Sequence, residues 1–174
     1  DIINENLARE TDLVENILTG TKIDKKELNL SMGSVDALDV VHDSLLGFNP
    51  KARKKGLEII YIPPKDKINV WADRTRIQQV IDNLIDNAIK YTEKGNITIT
   101  LTSDQNNMEF IIRDSGIGIP ENEIKKLGGK FYRVNTYLRN GDSDLEIVRP
   151  GGTGLGLYIV FGLVRAMEGE IDVT

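Results

Sequence analysis

The 174-residue sequence has no cysteine, one histidine and one tryptophan, and aromatic residues make up only 6% of it. Without cysteine there is no disulfide framework, no zinc–thiolate site and no thiol nucleophile, which suits a reducing, cytoplasmic-type compartment. The lone His42 cannot supply both halves of a nucleophile–histidine pair. Long apolar runs are missing too. The longest, around Leu155 to Val164, is broken by glycines and falls short of the roughly 20 residues of a membrane span. The chain opens on acidic and amide residues, so no signal peptide is expected at its start. Positive charge is not in excess: 22 Lys and Arg stand against 27 Asp and Glu, a net charge of -5. That field repels nucleic acid and anionic membrane, so any anion must be gripped locally. What the chain does have is size enough for one domain with a core, and 16 glycines.

Ile3, Leu7, Val14, Ile17 and Leu18 recur at helical spacing and predict a helix ending at Gly20. The pattern is already running at residue 1, so it reads as the end of a longer helix. Its a/d-like stripe fits pairing with another helix and packing on its own domain equally well. Residues 20–33 are polar and glycine-bounded, as in a linker, leaving 34–174 as the main domain. Ser34 is the expected N-cap of a second helix carrying Val35, Leu38, Val41 and Leu45 and fading near Gly47 and Pro50. His42 on that helix reads as a packing or surface residue. Leu57 to Ile62 and Ile68 to Trp71 predict strand, turn and strand around Pro63 and Pro64.

Asp73 is placed to cap the strongest helix, whose apolar face is Ile77, Val80, Ile81, Leu84, Ile85, Ala88 and Ile89. Ile97, Ile99 and Leu101 alternate with threonines, and Phe110 and Ile112 alternate after a polar turn, predicting an antiparallel hairpin with one buried face. A short helix should follow Pro120, and a glycine cluster should open another from about Leu155 to Met167. Residues 134–149 are polar and aperiodic, and the last few start a strand. Helices interleaved with such strands predict an α/β (α+β) two-layer sandwich, a mixed and largely antiparallel sheet covered by helices on one face.

Three clusters can carry chemistry. Gln79, Asn83, Asn87 and Lys90 form one line beside the core stripe of the central helix. Asparagine is a poor helix former, and a carboxamide oxygen is a neutral hard ligand suited to Mg²⁺. A solvated face with two incidental asparagines is the competing reading. Asp114-Ser115-Gly116-Ile117-Gly118-Ile119-Pro120 follows a predicted strand, where a carboxylate can accept from an exocyclic amine and glycines allow a tight turn beside a flat ring. Gly151 to Leu157 opens a helix, where free N–H groups and the helix dipole favour an anion. Neither glycine cluster has the lysine of a Walker loop, and neither lies as G-x-G-x-x-G inside a parallel βαβ unit. The polar stretch between them fits a lid joining a base site to a phosphate site.

In order along the chain, Gln79 to Thr92 (QVIDNLIDNAIKYT), Asp114 to Pro120 (DSGIGIP), Phe131 to Arg133 (FYR) and Gly152 to Leu157 (GTGLGL) resemble the N, G1, F and G2 boxes of sensor histidine kinases. The resemblance implies a Bergerat-type ATP-binding catalytic domain, in one superfamily with the ATPase domains of gyrase and the MutL proteins. By it, Asn87 would coordinate Mg²⁺, and Asn83 would support the metal and phosphates. Lys90 would face the phosphates and Tyr91 would lie along the nucleotide. Asp114 would read the adenine amine in a pocket shaped by Gly116, Gly118 and Ile119. The G2 segment, Gly152 and Thr153 included, would hold the phosphates through the N–H groups of Gly154, Leu155 and Gly156, with Leu157 as a wall. Arg133 would bring charge to the γ-phosphate.

The implied function is transfer of the γ-phosphoryl group from Mg-ATP to a histidine on a dimerisation hairpin, then relay to a response regulator receiver domain. Residues 1–19 would be the end of that hairpin's second helix. The acceptor histidine lies outside this sequence, and His42 does not match it. The segment before FYR reads KKLGGK, a departure from the usual pattern. An ATPase clamp of the gyrase or MutL type and a non-catalytic dimerisation module are the rival readings. No nucleic acid or membrane contact by this segment is expected, and a membrane anchor elsewhere in the parent protein is left open.

Overall fold

The computed structural model describes residues 2–104, 107–134 and 153–174, excepting the side chains of residues 2–9 and 12. Helix α1 (Ile2–Asp24) runs a turn past the expected stop at Gly20. Gly20 is buried against the ring of Tyr158, so it is a point of close approach, not a cap. The helix ends instead where Lys26 takes φ 55° and the Glu27 N–H returns to the Lys22 carbonyl at 2.9 Å. Val14, Ile17 and Leu18 remain exposed, so their stripe is not consumed by packing on this domain.

Ser34 does not cap α2. It lies inside strand β1 (Gly33–Asp36), opposite Trp71, and the cap of α2 (Ala37–Lys54) is Asp36, whose Oδ1 accepts from the Leu38 N–H at 3.0 Å. Ser34 and Asp36 are both good capping residues, and the β1 pairing decides between them. Helix α2 also continues through Gly47 and Pro50. Pro50 deletes one helix hydrogen bond, but the next turn buries Ala52, and the helix closes with the Leu57 N–H on the Ala52 carbonyl and the Gly56 N–H on the Arg53 carbonyl, both 2.9 Å.

The expected strand, turn and strand are present, but the two strands do not pair with each other. Strands β2 (Glu58–Ile62) and β3 (Asn69–Ala72) belong to different sheets. Two consecutive prolines remove two donors and cannot form a tight hairpin turn, so the chain crosses over instead. β3 pairs antiparallel with β1, and β2 pairs parallel with β4 (Asn96–Ser103). A parallel pair needs a long crossover, and here it carries helix α3 (Arg74–Tyr91). The β4–β5 hairpin, with β5 at Met108–Asp114, is antiparallel as expected, with Ile99 opposite Ile112 and Leu101 opposite Phe110. Helix α4 (Glu121–Ile124) follows Pro120, and α5 (Gly156–Ala166) follows the second glycine cluster.

The closing strand is absent from residues 169–174. Glu168 at φ 62° and the Gly169 N–H on the Val164 carbonyl turn the chain back onto the end of α5. Residues 135–150, the proposed lid, lie outside the described residues.

Helices α2 and α3 cover the three-stranded sheet β2–β4–β5. Ile77, Ile81, Ile85 and Ile89 of α3 are buried with Val40, Val41 and Leu45 of α2 and Ile97, Ile99 and Leu101 of β4. Each such aliphatic side chain contributes about 1.5–3 kcal/mol on burial. Val80 packs instead with Leu155, Ile159, Val160 and Leu163 near α5, and Ile23 and Tyr158 lie against this second cluster. The two-layer mixed α/β fold stands, with its strands in two sheets. Helix α3 is shared between a sheet-side core and an α5-side core, and that sharing positions its polar line.

Candidate functional site

Asp73 sets the start of α3. Its carboxylate accepts from the Arg76 N–H at 3.1 Å and, from the segment after α1, from the Ser31 N–H at 2.8 Å. From this fixed start, Asn83 and Asn87 of the polar line come beside Gly156, the first residue of α5. The Asn83 amide nitrogen donates to the Gln79 carbonyl at 2.8 Å. Its Oδ1 is thereby turned outward, 3.1 Å from where a Cβ on Gly156 would stand, and the Asn87 Nδ2 is 3.9 Å from the same point. A half turn of the Asn87 carboxamide exchanges its nitrogen for its oxygen. Lys90 shares its charge with Asp86, at 3.7 Å on the same helix.

A second cluster forms where α3 ends. The Ile117 N–H reaches the Tyr91 carbonyl at 3.4 Å, and the Gly116 N–H donates to Asp114 Oδ1 at 2.8 Å. A Cβ on Gly116 would lie 2.5 Å from the Tyr91 oxygen and 2.6 Å from Asp114 Oδ1, so only glycine fits. One carboxylate oxygen of Asp114 is held by the backbone, which aims the other. Gly118, at φ 68°, and the half-exposed Ile117 and Ile119 continue the wall.

The third cluster is the start of α5. Gly154 takes φ 72° with its Cα against the backbone of Phe131, and Thr153 Oγ1 accepts from the Leu155 N–H at 3.3 Å. Leu155 is therefore not the open donor expected of it: its N–H is engaged and its side chain is buried in the α5-side core. The N–H groups of the first turn of α5, from Gly156 onward, have no partner within the helix and carry the positive end of its dipole.

Asn83, Asn87, Lys90, Tyr91, Asp114, Gly116, Gly118, Ile119, Arg133, Thr153, Gly154, Gly156 and Leu157 all border one extended, open depression, which also runs along residues of α1, α2, β5 and the C-terminal segment. Close approaches join Asn83 and Asn87 to Gly156, and Tyr91 and Asp114 to Gly116; Leu155 is core, and Gly152 lies outside the described residues. Among the described residues no trio of His, Asp or Glu side chains could hold a metal by itself, so the available donors are carboxamides and backbone. Two residues that lie inside the quoted motifs, but to which their spacing assigns no role, also contribute. Phe131, at φ 61°, supplies backbone to seat Gly154, and Ser115 Oγ accepts from the Asn96 N–H at 3.1 Å, fastening the base-side turn to the head of β4. Both act through backbone contacts between distant segments, which spacing does not display.

Comparison with known proteins follows this geometry. Sensor histidine kinase RcsC of Escherichia coli (strain K12) is 31% identical over 172 residues, covering 98% of this chain and 17% of RcsC, so the chain spans about a sixth of that relative. Full-length ShkA in complex with AMPPNP superposes with a TM-score of 0.77 at 25% identity, over 94% of this chain and 32% of ShkA. Histidine kinase ThkA in complex with the response regulator protein TrrA superposes with a TM-score of 0.61 at 28% identity, over 76% of this chain and 39% of ThkA. Residues 72–174 match the family described as histidine kinase-, DNA gyrase B-, and HSP90-like ATPase. That match covers more than half of the chain and contains all three clusters, so the chain belongs to this ATPase family, as a homologue of the catalytic domains of sensor histidine kinases.

Proposed function

We propose that this chain is the part of a sensor histidine kinase that binds Mg-ATP and presents its γ-phosphoryl group to a histidine on a helical hairpin. The observation that carries the reading is the spacing of two clusters along one helix. Tyr91, beside Asp114 and Gly116, and Asn83, beside Gly156, lie about 12 Å apart along the α3 axis, the reach from a purine ring to the end of its triphosphate. In this reading Asp114 accepts from the adenine amine, and Gly116, Gly118 and Ile119 form the base pocket. The first turn of α5, with Thr153 and Gly154 before it, receives the phosphates. Lys90 and Arg133 add charge there.

The residues fit a magnesium ion. Mg²⁺ keeps most of its ligands as water and phosphate oxygens, and the outward oxygen of Asn83 and the rotatable carboxamide of Asn87 supply the neutral protein share. When bound, it would neutralise charge on the phosphates. The chain's own residues hold and align the nucleotide, so the contribution is positioning and electrostatics, with no covalent intermediate on this domain.

The kinase reading is favoured over an ATP-driven clamp because similarity to RcsC extends over 98% of the chain, α1 included. The exposed stripe Val14, Ile17 and Leu18 suits a helix that pairs with another. A response regulator receiver domain is the proposed recipient of the phosphoryl group, as TrrA is the partner of ThkA in its complex. Among the described residues no helix is long and apolar enough to cross a membrane, and a cytoplasmic setting is proposed for this domain.

Titration with AMPPNP with and without Mg²⁺ tests the reading. Magnesium should strengthen binding in the unmodified chain, and Asn87→Ala should remove that dependence; unchanged magnesium dependence in the variant would sink the metal assignment. Equal affinity for ATP and GTP would remove the base-reading role of Asp114.

A further inference from the structure

The end of α1 meets the phosphate-facing part of the molecule through one carboxylate. Tyr158, the third residue of α5, donates its hydroxyl to Asp24 Oδ1, and Lys130 donates to and pairs with Asp24 Oδ2. The Lys130 ammonium also lies 5.6 Å from the ring centre of Phe131 and 5.9 Å from that of Tyr158. Next to Asp24, Ile23 packs so closely on Gly162 of α5 that a Cβ there would come within 2.7 Å of it. The two oxygens of Asp24 thus engage two different walls of the site. Tyr158 is on the helix whose first residue, Gly156, faces Asn83. Lys130 immediately precedes Phe131, whose backbone seats Gly154.

We propose that Asp24 is a positioning residue for the nucleotide site, clamping the start of α5 to the Phe131 segment and so coupling the docking of α1 to the binding of the phosphate end of ATP. The proposal rests on the nucleotide reading above. An isolated exposed ion pair contributes little. Here, however, a charge-assisted acceptor is shared by two donors on segments that must keep their relative position for the α5 N–H groups to converge on phosphate. None of the three groups needs to touch the nucleotide. The base cluster, at the far end of α3, is independent of them. Coupling is reciprocal: whatever factor α1 docking adds to ATP affinity, ATP adds to α1 docking.

The test titrates the 174-residue chain calorimetrically with Mg-AMPPNP and, separately, with adenosine, which uses the base pocket alone. Asp24→Asn should weaken AMPPNP binding about threefold to tenfold while leaving adenosine affinity unchanged. Lys130→Met should do the same, and the double variant should be no worse than either single one, because both break one clamp. Hydrogen exchange in residues 17–24 should slow on adding AMPPNP to the unmodified chain and not in Asp24→Asn. Unchanged AMPPNP affinity in Asp24→Asn, equal losses for AMPPNP and adenosine, or fully additive effects would each overturn the positioning role. An unmodified chain that binds neither ligand overturns the nucleotide reading and this role with it; an unmodified chain that binds both, with Asp24→Asn behaving identically, overturns this role alone.

Discussion

A methyl group at position 154 would stand 2.8 Å from the carbonyl carbon of Phe131, on a backbone already at φ 72°. Neither neighbour can give way cheaply, because the obstacle is main chain and Phe131 itself holds a left-handed conformation at φ 61°. Gly154→Ala is therefore expected to push the Phe131 segment away from the start of α5 and weaken AMPPNP binding at least about tenfold, with adenosine binding little changed, as read by calorimetric titration. At the same scale, Asn83 shows how a side chain is aimed without a metal. Its nitrogen is committed to the Gln79 carbonyl, so its oxygen has one direction left. The carboxamide line was legible from residue spacing alone, but that internal hydrogen bond and the engaged N–H of Leu155 were not. Both depend on which local acceptor lies nearest once the helices have formed.

Helix α3 carries both the core and the site, so its starting point matters more than that of any other element. Asp73 defines it. Burial pushes the Asp73 carboxyl up, but N–H donors from Ser31, Arg76 and Thr75 and the Arg76 charge outweigh it and hold the group below the ordinary carboxylate range. A depressed folded value means the cap contributes fully above the ordinary range and is lost as pH falls through the lowered value. Asp73→Ala should lower unfolding free energy by about 1–2 kcal/mol at neutral pH in urea denaturation, and the difference from the unmodified chain should shrink in acid. Asp73→Asn, which keeps an acceptor oxygen, should lose less and show a flatter pH dependence. The helix, its cap and its buried face were all readable from periodicity and the aspartate before it. Strand β1 was not: four residues with two capping-type side chains look like a helix start until β3 is there to pair with them.

At the scale of the molecule, the packing of α1 on α5 is the feature with a pH signature. The Tyr158 hydroxyl is pushed up to about 12, first by its hydrogen bond to Asp24 and then by burial. A raised value in a neutral acid means the contact is complete below the ordinary tyrosine value and is lost as pH rises towards about 12. The Asp24 carboxyl is held low, first by its hydrogen bond from Lys130 and then by that from Tyr158, so on the other side the contact is lost as pH falls below the ordinary carboxylate range. Tyrosinate absorbance of the unmodified chain minus that of Tyr158→Phe isolates this group. Its midpoint should be about 12. A midpoint at the ordinary tyrosine value would show that α1 does not rest there in solution.

What the amino-acid order determined by itself was local: most of the helices and strands, which face of α3 is apolar, where carboxamides line up and where glycines gather. These follow from periodicity, capping chemistry and the steric freedom of glycine, which act over a few residues. Tertiary structure decided the rest. It sent β2 and β3 to separate sheets across Pro63 and Pro64, and carried α1 past Gly20 because Gly20 faces Tyr158. It withdrew Leu155 into the core and brought Asp24, Lys130 and Tyr158 to one point. Each of these outcomes depends on burial or pairing between segments far apart in the chain, whose free energy is not a property of either segment alone.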